Sequence, residues 1–164
     1  RLIMNESLPL LGNVCEYNVE CWCTYPDGRV ELVDETHNLV VYKAQEIIVA
    51  AIAAGLTGSS DGFITKYRAG TTTNPTPPAT GNSGLEDQVP FEKTMVKGNV
   101  SVSGTRVTFS LIMEKGEGNK SGSVNYTELG LFTPKGKMLA RVLTSKPIPK
   151  TADLRLEWRW SVGY

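Results

Sequence analysis

The sequence is poor in the residues that do chemistry. Its 164 residues hold a single histidine, His37, and three cysteines, Cys15, Cys21 and Cys23. One imidazole without an H-x-H or H-E-x-x-H partner gives no basis for a histidine-built zinc site. A Ser–His–Asp triad would have to use that same histidine, and no G-x-S-x-G elbow supplies the serine. The cysteines are odd in number and crowded into one segment, a poor disulfide framework. Cys21 and Cys23 flank one tryptophan, which is not the C-x-x-C of a redox site, and the second ligand pair of a structural zinc is missing. They read as small core hydrophobes. No G-x-G-x-x-G or G-x-x-x-x-G-K-[ST] is present to cradle phosphate. The expectation is a protein that is not an enzyme, with no cofactor, no metal and no small-molecule substrate.

Surplus charge is missing too. Lys plus Arg equals Asp plus Glu at 17 each, so the formal net charge is zero. Nucleic-acid binders carry a basic excess, and no nucleic-acid partner is expected. A neutral chain does little to oppose self-association, so a homo-oligomer is expected. The longest apolar stretch, Ile47 to Leu56, is too short to span a bilayer, and no membrane partner is expected. No basic-then-apolar leader opens the sequence, and synthesis in a reducing cytoplasm is expected.

What is abundant is strand and turn chemistry. Cys15, Tyr17, Val19, Cys21 and Cys23 alternate with polar residues and Trp22, the period of a strand with one buried face. Pro26-Asp27-Gly28 marks a turn, and Val30 and Leu32 continue into a second strand. Val107, Phe109, Leu111 and Met113 alternate in the same way, as do Leu154, Leu156, Trp158, Trp160 and Val162. Further strands are expected over 63–69, 89–102, 126–132 and 138–143, the last stopped before Pro147 and Pro149. Helical spacing of Val40, Val41, Ala44, Ile47, Ile48, Ala51 and Ile52, with Asn38 as N-cap and Gly55 as stop, predicts one α-helix over about 39–54. The fold class is therefore mainly β: an antiparallel β-sandwich or jelly-roll-like barrel of about seven or eight strands with that one helix. Residues 14–164 are expected to form one domain, and residues 1–13, without a period, an extended N-terminal arm. Glu114, Glu117 and Glu128 are the carboxylates that could pair as acid and base, but the first two sit in a Gly-rich tip that suits solvated side chains. Trp158 and Trp160 could stack a sugar or base, yet they share a face with leucines and read as core.

The order of segments carries more information than any one of them. The chain runs from His37-Asn-Leu-Val-Val through Phe63-Ile-Thr-Lys-Tyr-Arg-Ala-Gly-Thr to a Thr/Pro loop and Ser83-Gly-Leu-Glu. Then come Thr127-Glu-Leu-Gly-Leu-Phe, Met138-Leu-Ala-Arg-Val and a closing Leu-x-Leu-x-Trp-x-Trp strand. Over residues 24–164 this resembles a broad group of small tailed-bacteriophage virion structural proteins. They share an N-L-V-V helix start, an I-x-x-x-x-x-G-T segment before a Thr/Pro loop, an E-x-G-L-F strand and an L-A-R-V strand. Here Ala69-Gly70 is followed by three threonines, a departure from the group's apolar residue before Gly-Thr-Gly, and residues 1–20 have no counterpart.

The resemblance implies a place in the virion, with the major capsid protein or other virion proteins as partners. A capsid decoration or cement protein is the first expectation; a tail-fibre or baseplate-associated adaptor is the second. A glycan-binding module, stacking a sugar on Tyr67, Trp22 or the late tryptophans, is a third. For a decoration protein the contact elements would be the arm, through Leu8, Pro9, Leu10 and Leu11, and the loop over 70–84, through Thr72, Thr73, Pro75, Pro77 and Pro78.

Overall fold

The computed structural model describes residues 16–37, 39–40, 51 and 62–163. Among the described residues ten strands form two antiparallel sheets of five. The first sheet has the order β2 (Val30–Thr36), β1 (Glu16–Thr24), β10 (Arg155–Gly163), β7 (Arg106–Met113), β6 (Val100–Ser103). The second has β3 (Leu39–Val40), β9 (Met138–Lys150), β8 (Val124–Phe132), β4 (Lys66–Gly70), β5 (Phe91–Thr94). Of the two architectures expected, the structure is the β-sandwich.

Alternation builds the core directly. In the first sheet the register sets Val19 beside Trp160 and Phe109, Cys21 beside Trp158 and Leu111, and Cys23 beside Leu156 and Met113. These three rows are buried. The second sheet answers with two rows, Tyr67–Leu131–Ala140 and Ala69–Leu129–Val142, also buried. Tyr67 spans the layers, its hydroxyl donating to the Ile112 carbonyl at 2.7 Å. On the other flank Asp34 of β2 accepts hydrogen bonds from the backbone N–H of Ser145 at 3.0 Å and from its hydroxyl. Gly28 turns β1 into β2 at φ +86°, a left-handed conformation that glycine reaches without a Cβ clash. Burial pushes the Cys21 thiol well above the usual range and raises that of Cys23. Both are free and buried.

Several expectations need correcting. The stretch read as one strand over 89–102 is two, β5 and β6, in different sheets. The chain crosses between them through a 3-10 turn at Lys97–Asn99. β9 does not stop before Pro147 but runs on to Lys150. β3 pairs with β9 only at Arg141 and Ala140, so the proline segment has no described neighbour on that side, and the missing N–H groups break no described ladder there. The start of the expected helix is also wrong: Leu39 and Val40 are strand. Ala51 is helical; the rest of that helix, and the whole arm over 1–13, lie outside the described residues. The count of ten exceeds the expected seven or eight because of the split at 95–99 and the short β3.

Candidate functional site

β8 departs from the sandwich pattern. From Tyr126 to Phe132 every residue is buried, on both faces. The inward face meets the core. The outward face is covered by the connection between β4 and β5, residues 71–90, which folds back over the second sheet.

Small residues let the loop lie close. Gly70 sits opposite Glu128, and Gly130 sits between Arg68 and Arg141 on the outer face. A Cβ on Gly70 would lie 2.5 Å from Glu128 Oε1 and 2.9 Å from the Asp87 Cβ. One on Gly130 would lie 2.6 Å from the Phe132 ring and 3.1 Å from Leu85. Leu85, Phe132 and Met138 form a small apolar cluster under the loop, and the Arg68 guanidinium stacks 4.3 Å above the Phe132 ring.

At the centre stands an ion pair with almost no solvent contact. Arg141 donates from Nε and Nη2 to Glu128 Oε2 at 3.0 and 2.8 Å, and the two side chains are 1% and 0% exposed. Every remaining valence is taken by the loop. Glu128 Oε1 accepts the Asp87 N–H at 2.8 Å and the Thr72 hydroxyl at 3.5 Å, and Oε2 accepts the Glu86 N–H at 3.2 Å. Arg141 Nη1 donates to the Thr76 carbonyl at 3.1 Å and to Asn82 Oδ1 at 3.3 Å. Glu86 approaches Nη2 at 3.6 Å and accepts the hydroxyl and N–H of Thr76. A buried charge pair is tolerable only when its other hydrogen-bonding capacity is also met, and here the loop backbone meets it.

Asp87 adds a second pin. It accepts the N–H and hydroxyl of Thr71 at 2.8 and 3.1 Å and the Val89 N–H at 2.9 Å. Burial pulls its pKa up, but these hydrogen bonds outweigh that and hold it below the ordinary aspartate range. The Thr76 hydroxyl, then its N–H and the Arg141 charge, hold Glu86 low as well. A carboxyl whose folded pKa lies under its unfolded value contributes stability that is whole above about pH 4 and is lost as the pH falls through the folded value. Hydrogen exchange across residues 71–90, corrected for intrinsic pH dependence, is therefore expected to lose protection below about pH 4 while the core strands keep theirs. Unchanged loop protection down to pH 2.5, on the order of a unit and a half below that range, would contradict the pin. Gly70→Ala is expected to cost about 1–3 kcal/mol in urea unfolding, since the new methyl meets a fixed carboxylate.

The expected contact residues divide. Thr73 and Pro77 are exposed; Thr72, Pro75 and Pro78 are half-buried in the loop's own packing. The Thr72 carbonyl accepts the Thr127 hydroxyl at 2.7 Å. The loop is thus a fixed relief on the outer face, and Thr73 and Pro77 are the expected contact residues that it presents. Leu8, Pro9, Leu10 and Leu11 lie outside the described residues.

Other candidates are not brought together. Glu128 is sealed under the loop. Glu117 pairs with Lys93 and Glu114 with Arg155. Trp158 and Trp160 are core, as is Tyr67. Trp22 is half-buried on the outer face of the first sheet, its Nε1 donating to Glu20 at 2.9 Å and the Arg159 guanidinium 5.2 Å from its ring. His37 is exposed. Among the described residues no group of three His, Cys, Asp or Glu is placed to hold a metal ion, and no helix is long and apolar enough to cross a membrane. A cleft of about 230 Å3 opens between the sheet edges, lined by Tyr67, Lys93, Met95, Val96, Asn99 and Ile112 among others. Sequence reading missed it because β5 and β6 were read as one strand.

Comparison of the chain with protein-family models, with curated proteins and with solved structures returns no match. The site must be interpreted from its own geometry.

Proposed function

We propose that this chain is a structural protein of a tailed-phage virion, a capsid decoration or cement protein that contacts its neighbours through the fixed relief of the 71–90 loop. One observation carries the reading. Four of the segments that give the sequence its resemblance meet at a single point in space. Gly70 and Thr71 of the Gly-Thr segment, Leu85 and Glu86 of Ser-Gly-Leu-Glu, Glu128 and Phe132 of Glu-x-Gly-Leu-Phe, and Arg141 of Leu-Ala-Arg-Val form the loop anchor described above. Their shared order then has a physical reason: together they specify a sandwich with a rigid loop clamped to one face. A rigid loop loses little conformational entropy on contact, which suits weak contacts multiplied by shell symmetry.

Copy number in purified particles tests this. Quantitative mass spectrometry is expected to find the chain at a shell-like stoichiometry, on the order of hundreds per particle. A stoichiometry of roughly tens or fewer would overturn the capsid assignment in favour of a tail-fibre or baseplate component. Thr73→Glu/Pro77→Glu, at exposed positions, is expected to leave folding intact and reduce incorporation.

A further inference from the structure

Sheet edges expose unpaired backbone groups and are usually guarded by charge, proline, bulges or cover. β2 carries Glu31, Asp34 and Glu35 along its length. β5 carries Glu92 and Lys93, both engaged in ion pairs. β3 is described over two residues only. β6 is different. All four of its residues are exposed, it pairs with β7 without a register shift, and residues 98–105, Gly-Asn-Val-Ser-Val-Ser-Gly-Thr, contain no charge and no proline. Val100 and Val102 lie opposite Phe109 and Val107, which puts them on the core-facing side of the first sheet. They nevertheless stand 36% and 74% exposed, with Val96 beside them at 69%. The second sheet does not reach over them.

We propose that β6 is a self-association edge: two copies pair β6 to β6, antiparallel, about a two-fold axis through Ser101, joining their first sheets into one. The occupant is a second copy for two reasons. Val-Ser-Val reads the same in both directions, so an antiparallel copy sets Val100 opposite Val102 of the partner subunit and Ser101 opposite Ser101 of the partner subunit. Charge points the same way. The four paired positions are uncharged, so no like charges meet within the strand itself and Lys97 and Arg106 flank it only at its ends, whereas β2 against β2 would oppose like carboxylates along its length. Strand addition would satisfy the backbone groups that no described strand pairs and bury the valines together. The proposal stands apart from the virion reading.

Sedimentation equilibrium of the full chain, compared with two variants, decides it. The wild type is expected to be a dimer, and Val102→Lys to raise its dissociation constant by about 100-fold or more. The Val102→Lys chain should keep the circular dichroism and the cooperative thermal transition of the wild type diluted to monomer, because the position is exposed in the single chain. Ser101→Cys, in a Cys15→Ser background, is expected to form a disulfide-linked dimer under mild oxidation while the background alone does not. A monomeric wild type, or a dimer that survives Val102→Lys, would overturn the proposal. So would cross-linking of Ser101→Cys to Glu31→Cys in a mixture without Ser101→Cys homodimer, which would mean head-to-tail pairing.

Discussion

Arg141→Leu is expected to lower the unfolding free energy by about 3–5 kcal/mol, measured by urea titration at neutral pH. The cost comes less from the lost attraction than from what stays behind. Glu128 would be left without its cation at a site with 0% side-chain exposure, and the Thr76 carbonyl and Asn82 side chain would lose their donor. Removing both charges, as Glu128→Leu/Arg141→Leu, should cost less than the single change, because no charge is left stranded. The double variant should still expose the loop. The Glu86 and Asp87 N–H groups lose their acceptor, so hydrogen exchange over 71–90 should accelerate even as global stability recovers. An Arg141→Leu penalty within about 1 kcal/mol would mean the pair behaves like an exposed one, and the clamp would be refuted.

Trp160→Ala is expected to cost about 3–5 kcal/mol by the same measurement. Trp160 is fully buried in the row between Val19 and Phe109. Its Nε1 has no hydrogen-bond partner among the described residues, so truncation breaks no bond and the loss is packing alone. Trp160→Phe keeps much of the ring and removes the unpaired N–H, and should cost about 1 kcal/mol. If the alanine variant loses less than about 2 kcal/mol, the row is able to collapse into the void and is not the rigid centre described here.

The parts of this fold that the sequence makes legible are those with one wet face and one dry one. β1, β7 and β10 alternate because the outer face of the first sheet meets solvent, and their buried residues were foreseen one by one. β8 hides itself. With the loop over its outer face, Glu128 is buried beside Leu129, and period two disappears from the burial pattern. The same fact concealed the anchor. Glu128 and Arg141 are 13 residues apart on adjacent strands, and their pairing needs the β8–β9 register, which local pattern does not supply. The sequence signal that was available was indirect: a buried-looking strand, Tyr-Thr-Glu-Leu-Gly-Leu-Phe, that includes one carboxylate and therefore needs a cation. The loop is similar. Its prolines and threonines mark a contact element over 70–84, but the carboxylates of Glu86 and Asp87, which fix it, follow that stretch. The division between β5 and β6 was invisible because both halves favour strand and only the 3-10 turn separates them.

The place of β10 bears on how the protein is made. That strand is central in its sheet, held by β1 on one side and β7 on the other, with Tyr17 in register with Val162. Until residues 155–163 leave the ribosome, the β1–β2 hairpin and the β6–β7 hairpin have no strand to join them within their own sheet. Their apolar faces, including Val19, Cys21, Phe109 and Leu111, wait without their tryptophan neighbours. Closing a contact across nearly the whole chain is slow, and the unpaired strands are open to the wrong partner in the meantime. Synthesis therefore leaves completion of this sheet to β10, and a ribosome that stops short of Arg155 releases two hairpins with no strand between them.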